Sequence, residues 1–172
     1  MDSTQLGRAG ELALSLYGLV TSEGGLELFS PVADDDHVDL VAGLKGGLPV
    51  LGIQVKTTDG LDKGGLVEAR ASYARGHVRE DPAFLYAVLL LGSVQIKALW
   101  LVPSPDFNRL AYHTTTAGRE VLEFRASPDQ DDDFSAFRVD PIRAGPALVT
   151  RIESAPASPP EWLRALAGQV LR

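Results

Sequence analysis

The stretch HVDLVAGLKGGLPVLGIQVKTTDG, residues 37–60, sets an acid, an amide and a lysine (Asp39, Gln54 and Lys56) into two runs that are otherwise apolar and strand-like. Both runs are rich in Val, Leu and Ile, and the Gly46-Gly47 pair between them suits a two-residue hairpin turn, whose central residues need positive φ. If Lys45 pairs with Leu48 across that turn, counting back along the strands brings Asp39 opposite Gln54, with Lys56 one step along on the same face. A three-residue loop would send Asp39 to the other face, so the convergence of the three groups rests on the turn. Leu51, Ile53 and Val55 make one face of the second strand apolar, and Val50 and Gly52 precede the polar pair on the other. The strand is therefore expected to be buried on one side and partly wet on the other. Pattern alone leaves an ordinary half-exposed hairpin open as an equal alternative.

With 172 residues the chain suits a single domain, 1–172, with enough length for a substantial core. A hydrophobic fraction of 45% places it among soluble globular proteins. The absence of cysteine excludes disulfides and thiolate metal sites. The start, MDSTQLGRAGE, has neither the basic nor the apolar region of a secretory leader, and no apolar run approaches the ~18 residues of a membrane span, so a cytoplasmic location and no membrane partner are expected. A net charge of -7 argues against tight nonspecific binding of nucleic acid but leaves room for a local basic groove or for phosphate contact through a bound cation.

Residues 3–18 read as a helix, because Leu6, Ala9, Ala13, Leu16 and Val20 recur at helical spacing and Ser3 suits the N-cap. Glu11 lies off that stripe, on a side shared with Gly7, Arg8, Ser15 and Gly18, small enough for a sheet or ligand to approach closely. Residues 26–32 suggest a strand, followed by the acidic turn Asp34-Asp35-Asp36 and the hairpin. A Gly- and Asp-rich loop over 58–65 precedes a short helix over 72–79, ended before Pro82. The apolar runs 84–91 and 95–102, joined by a Gly-Ser turn, are expected as core strands of the same sheet, followed by a helical turn over 104–109 and a strand over 121–125. Beyond residue 126 the signal weakens until Ser158-Pro-Pro-Glu161, which combines an N-cap, Pro in the first turn and a capping-box Glu for a last helix. Trp162, Leu163, Leu166 and Val170 form its apolar stripe, suited to the core or to a dimer contact.

In this order, GRAGELALSLYG with Glu11, DDDHVDLV with Asp39, and LGIQVKTT with Gln54 and Lys56, the chain resembles the PD-(D/E)XK nuclease superfamily, with its restriction-endonuclease-like fold. The Q-x-K form is similar to that of certain intron-encoded homing endonucleases, and the Gly-x-x-Gly-Glu helix to that of Holliday-junction resolvases. The resemblance covers roughly residues 4–105 and implies an α/β fold, a central mixed β-sheet whose antiparallel hairpin carries the site, with flanking helices. It divides the chain into a nuclease-like core, 1–126, and a C-terminal extension, 127–172, ending in a helix.

The resemblance further implies a Mg²⁺- or Mn²⁺-dependent nuclease that hydrolyses phosphodiester bonds, in DNA, with a metal-activated water. Such chemistry needs a nucleophilic water and relief of charge on the phosphate, and a hard divalent cation supplies both. Such a cation takes oxygen ligands and keeps several waters. By resemblance, Asp39 is its main ligand, Gln54 gives a side-chain oxygen and the Val55 carbonyl completes the protein share. Lys56 orients the water, and Glu11 helps through a second cation or a water. Gln54 departs from the Asp or Glu usual in the superfamily, which weakens metal binding and keeps open a catalytically inactive module that binds nucleic acid or a protein. Arg8, Arg70, Arg75 and Arg79 are candidates for phosphate contact, and a homodimer would offer two clefts to a duplex. With His37, His77 and His113 as its histidines and no Gly-x-Ser-x-Gly elbow, the chain gives little support to a serine or histidine hydrolase.

Overall fold

The structure is a computed structural model that describes residues 2–31, 37–93, 95–160 and 162–163. Helix α1, Ser3–Thr21, begins one residue earlier than Ser3 as N-cap implies. The cap is Asp2, whose carboxylate accepts from Gln5 N at 2.9 Å while Gln5 Oε1 accepts from Asp2 N at 3.2 Å. An ionised carboxylate at the positive end of the helix, tied reciprocally to the first turn, outcompetes the neighbouring serine hydroxyl.

The strands β1 (Leu26–Phe29), β2 (Leu40–Leu44), β3 (Gly47–Thr58), β5 (Phe84–Gly92), β6 (Gln95–Pro103) and β9 (Arg138–Val139) form one mixed sheet in the order β1-β2-β3-β5-β6-β9. All neighbours are antiparallel except β3 and β5, which run parallel over Gly52–Thr58 and Phe84–Leu90. A second, antiparallel sheet follows the order β4-β8-β7, from β4 (Val67–Ala74), β7 (Tyr112–Thr116) and β8 (Arg119–Ala126). Helices α2 (Ser104–Leu110) and α3 (Ala144–Glu153) complete the chain. None of the described helices is long and apolar enough to cross a membrane.

Of the segment expected as a helix over 72–79, residues 72–74 instead close β4 and the rest is turn and loop; along β4, Val67, Ala71 and Tyr73 are buried between exposed or half-buried neighbours. Period-two burial wins over the helical propensity of its alanines, because the second sheet packs one face of β4 on the core.

The main sheet is covered on both sides. On one, α1 and α3 pack Leu14, Leu148 and Ile152 against Leu51, Ile53 and Leu85. On the other, the second sheet and α2 bring Tyr73, Leu122, Phe124 and Phe107 against Phe84, Tyr86 and Trp100. Two-sided burial explains why β5 reads as one continuous apolar run. Trp162 is 3% exposed and lies in this aromatic layer, where a Cβ on Gly52 would come within 3.0 Å of its ring. It is core, and the rest of its expected stripe, Leu166 and Val170, lies outside the described residues. On the outer side of α1, Leu12, Leu16, Leu19 and Val20 are exposed.

The helix rests directly on β3. A Cβ on Gly10 would stand 1.8 Å from Thr57 Oγ1 and 2.9 Å from Thr57 Cβ, so only glycine permits this approach. Thr57 Oγ1 is buried without a hydrogen-bond partner, so its removal breaks no bond. Gly10→Ala is expected to cost about 1–3 kcal/mol in urea denaturation through overpacking. Adding Thr57→Ala should restore part of that loss, and strict additivity of the two changes would refute direct contact.

Candidate active site

Behind its tip the hairpin takes the expected register, from Gly43 opposite Val50 to Leu40 opposite Ile53, by another route. Its two-residue loop is Lys45-Gly46, closed by Leu44 opposite Gly47, and not Gly46-Gly47 closed by Lys45 and Leu48. Both glycines have φ of 114°, a conformation that side chains disfavour. The register then shifts between Gly43 and Leu44, and Leu48 and Pro49 are passed over before Gly43 meets Val50, Val41 meets Gly52 and Leu40 meets Ile53. Pro49 has no N–H for a ladder and is at home in such an irregularity. An offset of two residues leaves every side chain on the face it would otherwise have had.

Asp39 stands just ahead of β2. Its N–H donates to Ile53 O at 2.9 Å, and its Oδ2 accepts from Val55 N at 2.6 Å. The carboxylate thus takes the place of a main-chain acceptor where the ladder ends, and is held against the residue that separates Gln54 from Lys56. His37, two residues earlier, has a φ of 56° and sets its ring edge-on to Tyr73 at 5.2 Å.

Gln54 is 3% exposed, in the aromatic layer. Its Oε1 accepts from the Tyr73 hydroxyl at 2.9 Å, and the Tyr73 and Tyr86 hydroxyls are 2.6 Å apart. Tyr86 stacks on Phe107 at 3.9 Å. Burial pushes both phenols above their usual range. At Tyr73 the hydrogen bond from Tyr86 and the Arg79 charge oppose that rise, while the Asp39 charge adds to it. Lys56, two residues beyond Gln54 on β3, is half-buried and lines an open groove of about 390 Å³ with Thr57, Thr58, Glu68, Ala69 and Arg70.

The remaining candidates are more dispersed. Gly10 against Thr57 puts Glu11 beside the end of β3 that carries Lys56, yet its carboxylate is paired with Arg8. Arg70 pairs with Glu68 at 2.7 Å and with Glu123 at 3.3 Å, and Arg75 is exposed in the turn after β4. Arg79 covers the Phe84 ring at 4.6 Å, on the tyrosine side of the sheet. Asp34, Asp35 and Asp36 lie outside the described residues. Among the described residues no group of three or more His, Asp or Glu forms a cluster able to hold a metal.

Backbone and layers together resemble a solved structure, that of a bacterial homing endonuclease, I-Ssp6803I, with a TM-score of 0.56 over 99% of this chain and 97% of that one. The chain has a nuclease-like fold. At 15% identity the likeness is one of fold. No family model and no curated protein matches the chain. Within this nuclease-like fold the hairpin brings Asp39 to Val55, between Gln54 and Lys56, in a mixed sheet flanked by helices.

Tyr73, Tyr86 and Glu68 join the site without a motif of their own in the sequence. Tyr86 did carry a signal: a phenol inside the run FLYAVLLL is buried with its neighbours, and a buried hydroxyl needs a partner. Tyr73 is hidden by the expected helix over 72–79, and Glu68 lies between that helix and the loop over 58–65, in a stretch to which the pattern gives no element.

The two phenols give the fold a pH dependence. Their folded-state pKa values stand above those of the unfolded chain, so the stabilisation is complete below the ordinary phenol value of about 10 and is lost as pH rises through the folded values. Urea denaturation across the alkaline range is expected to show stability falling, and falling less steeply in the Tyr73→Phe/Tyr86→Phe double variant. Identical slopes would mean that the phenols ionise freely in the folded protein.

Proposed function

We propose that this chain is a divalent-metal-dependent endonuclease of the PD-(D/E)XK type, hydrolysing phosphodiester bonds in DNA. The observation that carries the reading is the Asp39 carboxylate bonded to Val55 N, with Gln54 and Lys56 on either side, in a fold shared with a homing endonuclease.

The donor set fits a hard cation such as Mg²⁺ or Mn²⁺. A carboxylate has about four lone-pair sites, so the Val55 N–H does not exhaust Asp39, and an amide oxygen that accepts one hydrogen bond keeps a second lone pair. Asp39, Gln54 Oε1 and the Val55 carbonyl would hold the ion, which when bound supplies an activated water and charge relief on the phosphate. Lys56 would orient the water and counter developing charge from the groove it lines. Glu11 would join through a second cation or a water, once released from Arg8. Arg75, exposed in the turn after β4, is better placed for phosphate contact than Arg70 and Arg8, which already face carboxylates, and Arg79 lies on the tyrosine side of the sheet. A homodimer would supply two sites for two strands. Light scattering after size-exclusion chromatography should then give twice the chain mass, and a monomer at high concentration would favour nicking.

A non-catalytic module of the same fold, binding nucleic acid or a protein, is the second reading, favoured by the engagement of Gln54 Oε1 by Tyr73 and by the single negative charge on the hairpin. Cleavage assays separate the two. Asp39→Asn keeps an acceptor for Val55 N while discarding the charge, so it should fold normally and lose activity. Lys56→Ala should lose at least about a hundredfold, as when a donor to a developing anion is removed. Gln54→Glu should tighten Mn²⁺ binding in calorimetry. Metal-independent cutting, or full activity in Asp39→Asn, would sink the nuclease reading.

A further inference from the structure

An amide that serves as an oxygen ligand has a difficulty that a carboxylate lacks. Its two ends are nearly equal in shape, but only the oxygen binds a cation, so something must select the end. We propose that Tyr73, backed by Tyr86, is the positioning residue that selects the oxygen end of Gln54 for a divalent cation; this rests on the metal-site reading above.

The number of protons in the row fixes its direction. Three oxygens stand in a row: Tyr86 hydroxyl, Tyr73 hydroxyl and Gln54 Oε1, separated by 2.6 and 2.9 Å. Two protons are available, one on each phenol. With Oε1 towards Tyr73, the Tyr73 proton fills the second gap and the Tyr86 proton fills the first, so both are used within the row. With the NH₂ end towards Tyr73, the amide supplies the proton of the second gap, three protons then compete for two gaps, and one phenol proton must leave the row. Tyr86 is 0% exposed and packed between Phe84 and Phe107, and Tyr73 is 3% exposed with His37 edge-on to its ring, so either exit is out of reach of bulk water. The row therefore has a direction, from Tyr86 through Tyr73 to the amide oxygen. His37 and Phe107 hold the two rings in place by edge-on and stacked contacts.

Selection of an end matters for Gln54 and is void for a glutamate, whose two oxygens are alike. This separates positioning from mere support of the fold. In Mn²⁺ calorimetry on the full chain, Tyr73→Phe is expected to weaken binding about tenfold with glutamine at position 54, and by no more than about twofold in the Gln54→Glu background, the first figure being the low end for loss of a group that orients a metal ligand. Tyr86→Phe should reproduce the pattern more weakly, because Tyr73 then loses the proton that fixes its own direction, and it stands in if Tyr73→Phe fails to fold by circular dichroism. Equal losses in the two backgrounds, or no loss with glutamine, would overturn the proposal while leaving the metal site intact. An absence of Mn²⁺ binding by the wild-type chain would overturn the metal-site reading and this proposal together.

Discussion

The parallel pairing of β3 with β5 governs the rest of the structure. Antiparallel hairpins tolerate one wet face, but a parallel pair in the middle of a sheet has neighbours on both sides and needs cover on both faces. Here α1 and α3 supply one layer, and the second sheet with α2 supplies the other. The crossover between β3 and β5 includes β4, so the same segment that makes the parallel connection possible also delivers Tyr73 to the face where Gln54 points. A polar side chain in that layer without a partner would cost about 1–3 kcal/mol. The two hydroxyls answer that cost, and the need for them follows from the topology.

The charges follow a similar logic. Despite the net charge of -7, the face that holds Gln54 has Arg79 over Phe84 and Asp39 at the end of the ladder, so its local balance differs from that of the whole chain. Across the outer face of the second sheet, Arg70 meets Glu68 and Glu123, and Arg125 meets Asp62. Two arginines against three carboxylates leave this surface network with a net negative charge, and its pairs contribute little individually. They make that face a poor electrostatic match for a phosphate backbone, and Glu68 and Arg70 of the same network reach the groove that Lys56 lines.

Much of this was legible in the sequence, for reasons that differ by element. The apolar runs of β5 and of the later part of β6 announce themselves because burial on both sides leaves little room for polar residues there, whereas Gln95 and Lys97 at the start of β6 are exposed. Helix α1 was legible as a helix from the spacing of its apolar residues, but not its buried face, since Leu16 and Val20 of the expected stripe are exposed and Gly10, Leu14 and Gly18 are buried; the hairpin was legible from its glycine pair. The turn of the hairpin was not, because Gly46-Gly47 suits more than one loop, and Pro49 selects among them only once the strands are paired. Residues 72–79 read as a helix because alanine and arginine favour helices locally, and only the packing of Ala71 and Tyr73 on the core draws residues 72–74 into β4. Strand β9, with two residues, is too short to have a period. Of the candidate site, Asp39, Gln54 and Lys56 could be read from their interruption of apolar strands, whereas Tyr73 and Tyr86 become meaningful only when two segments far apart in the chain meet.

The paired offset at the tip of the hairpin bears on how such chains can vary in length. The tip already absorbs Leu48 and Pro49 without disturbing the faces of the strands behind it. Lengthening or shortening it by two residues would likewise leave Gln54 facing the tyrosines and Ile53 facing the helices. A change of one residue would exchange those faces, driving an amide into the aliphatic layer and isoleucine towards the phenols. The hairpin is thus free to drift in even steps and closed to odd ones, a parity rule that any insertion, deletion or grafted loop at this end of the molecule must obey.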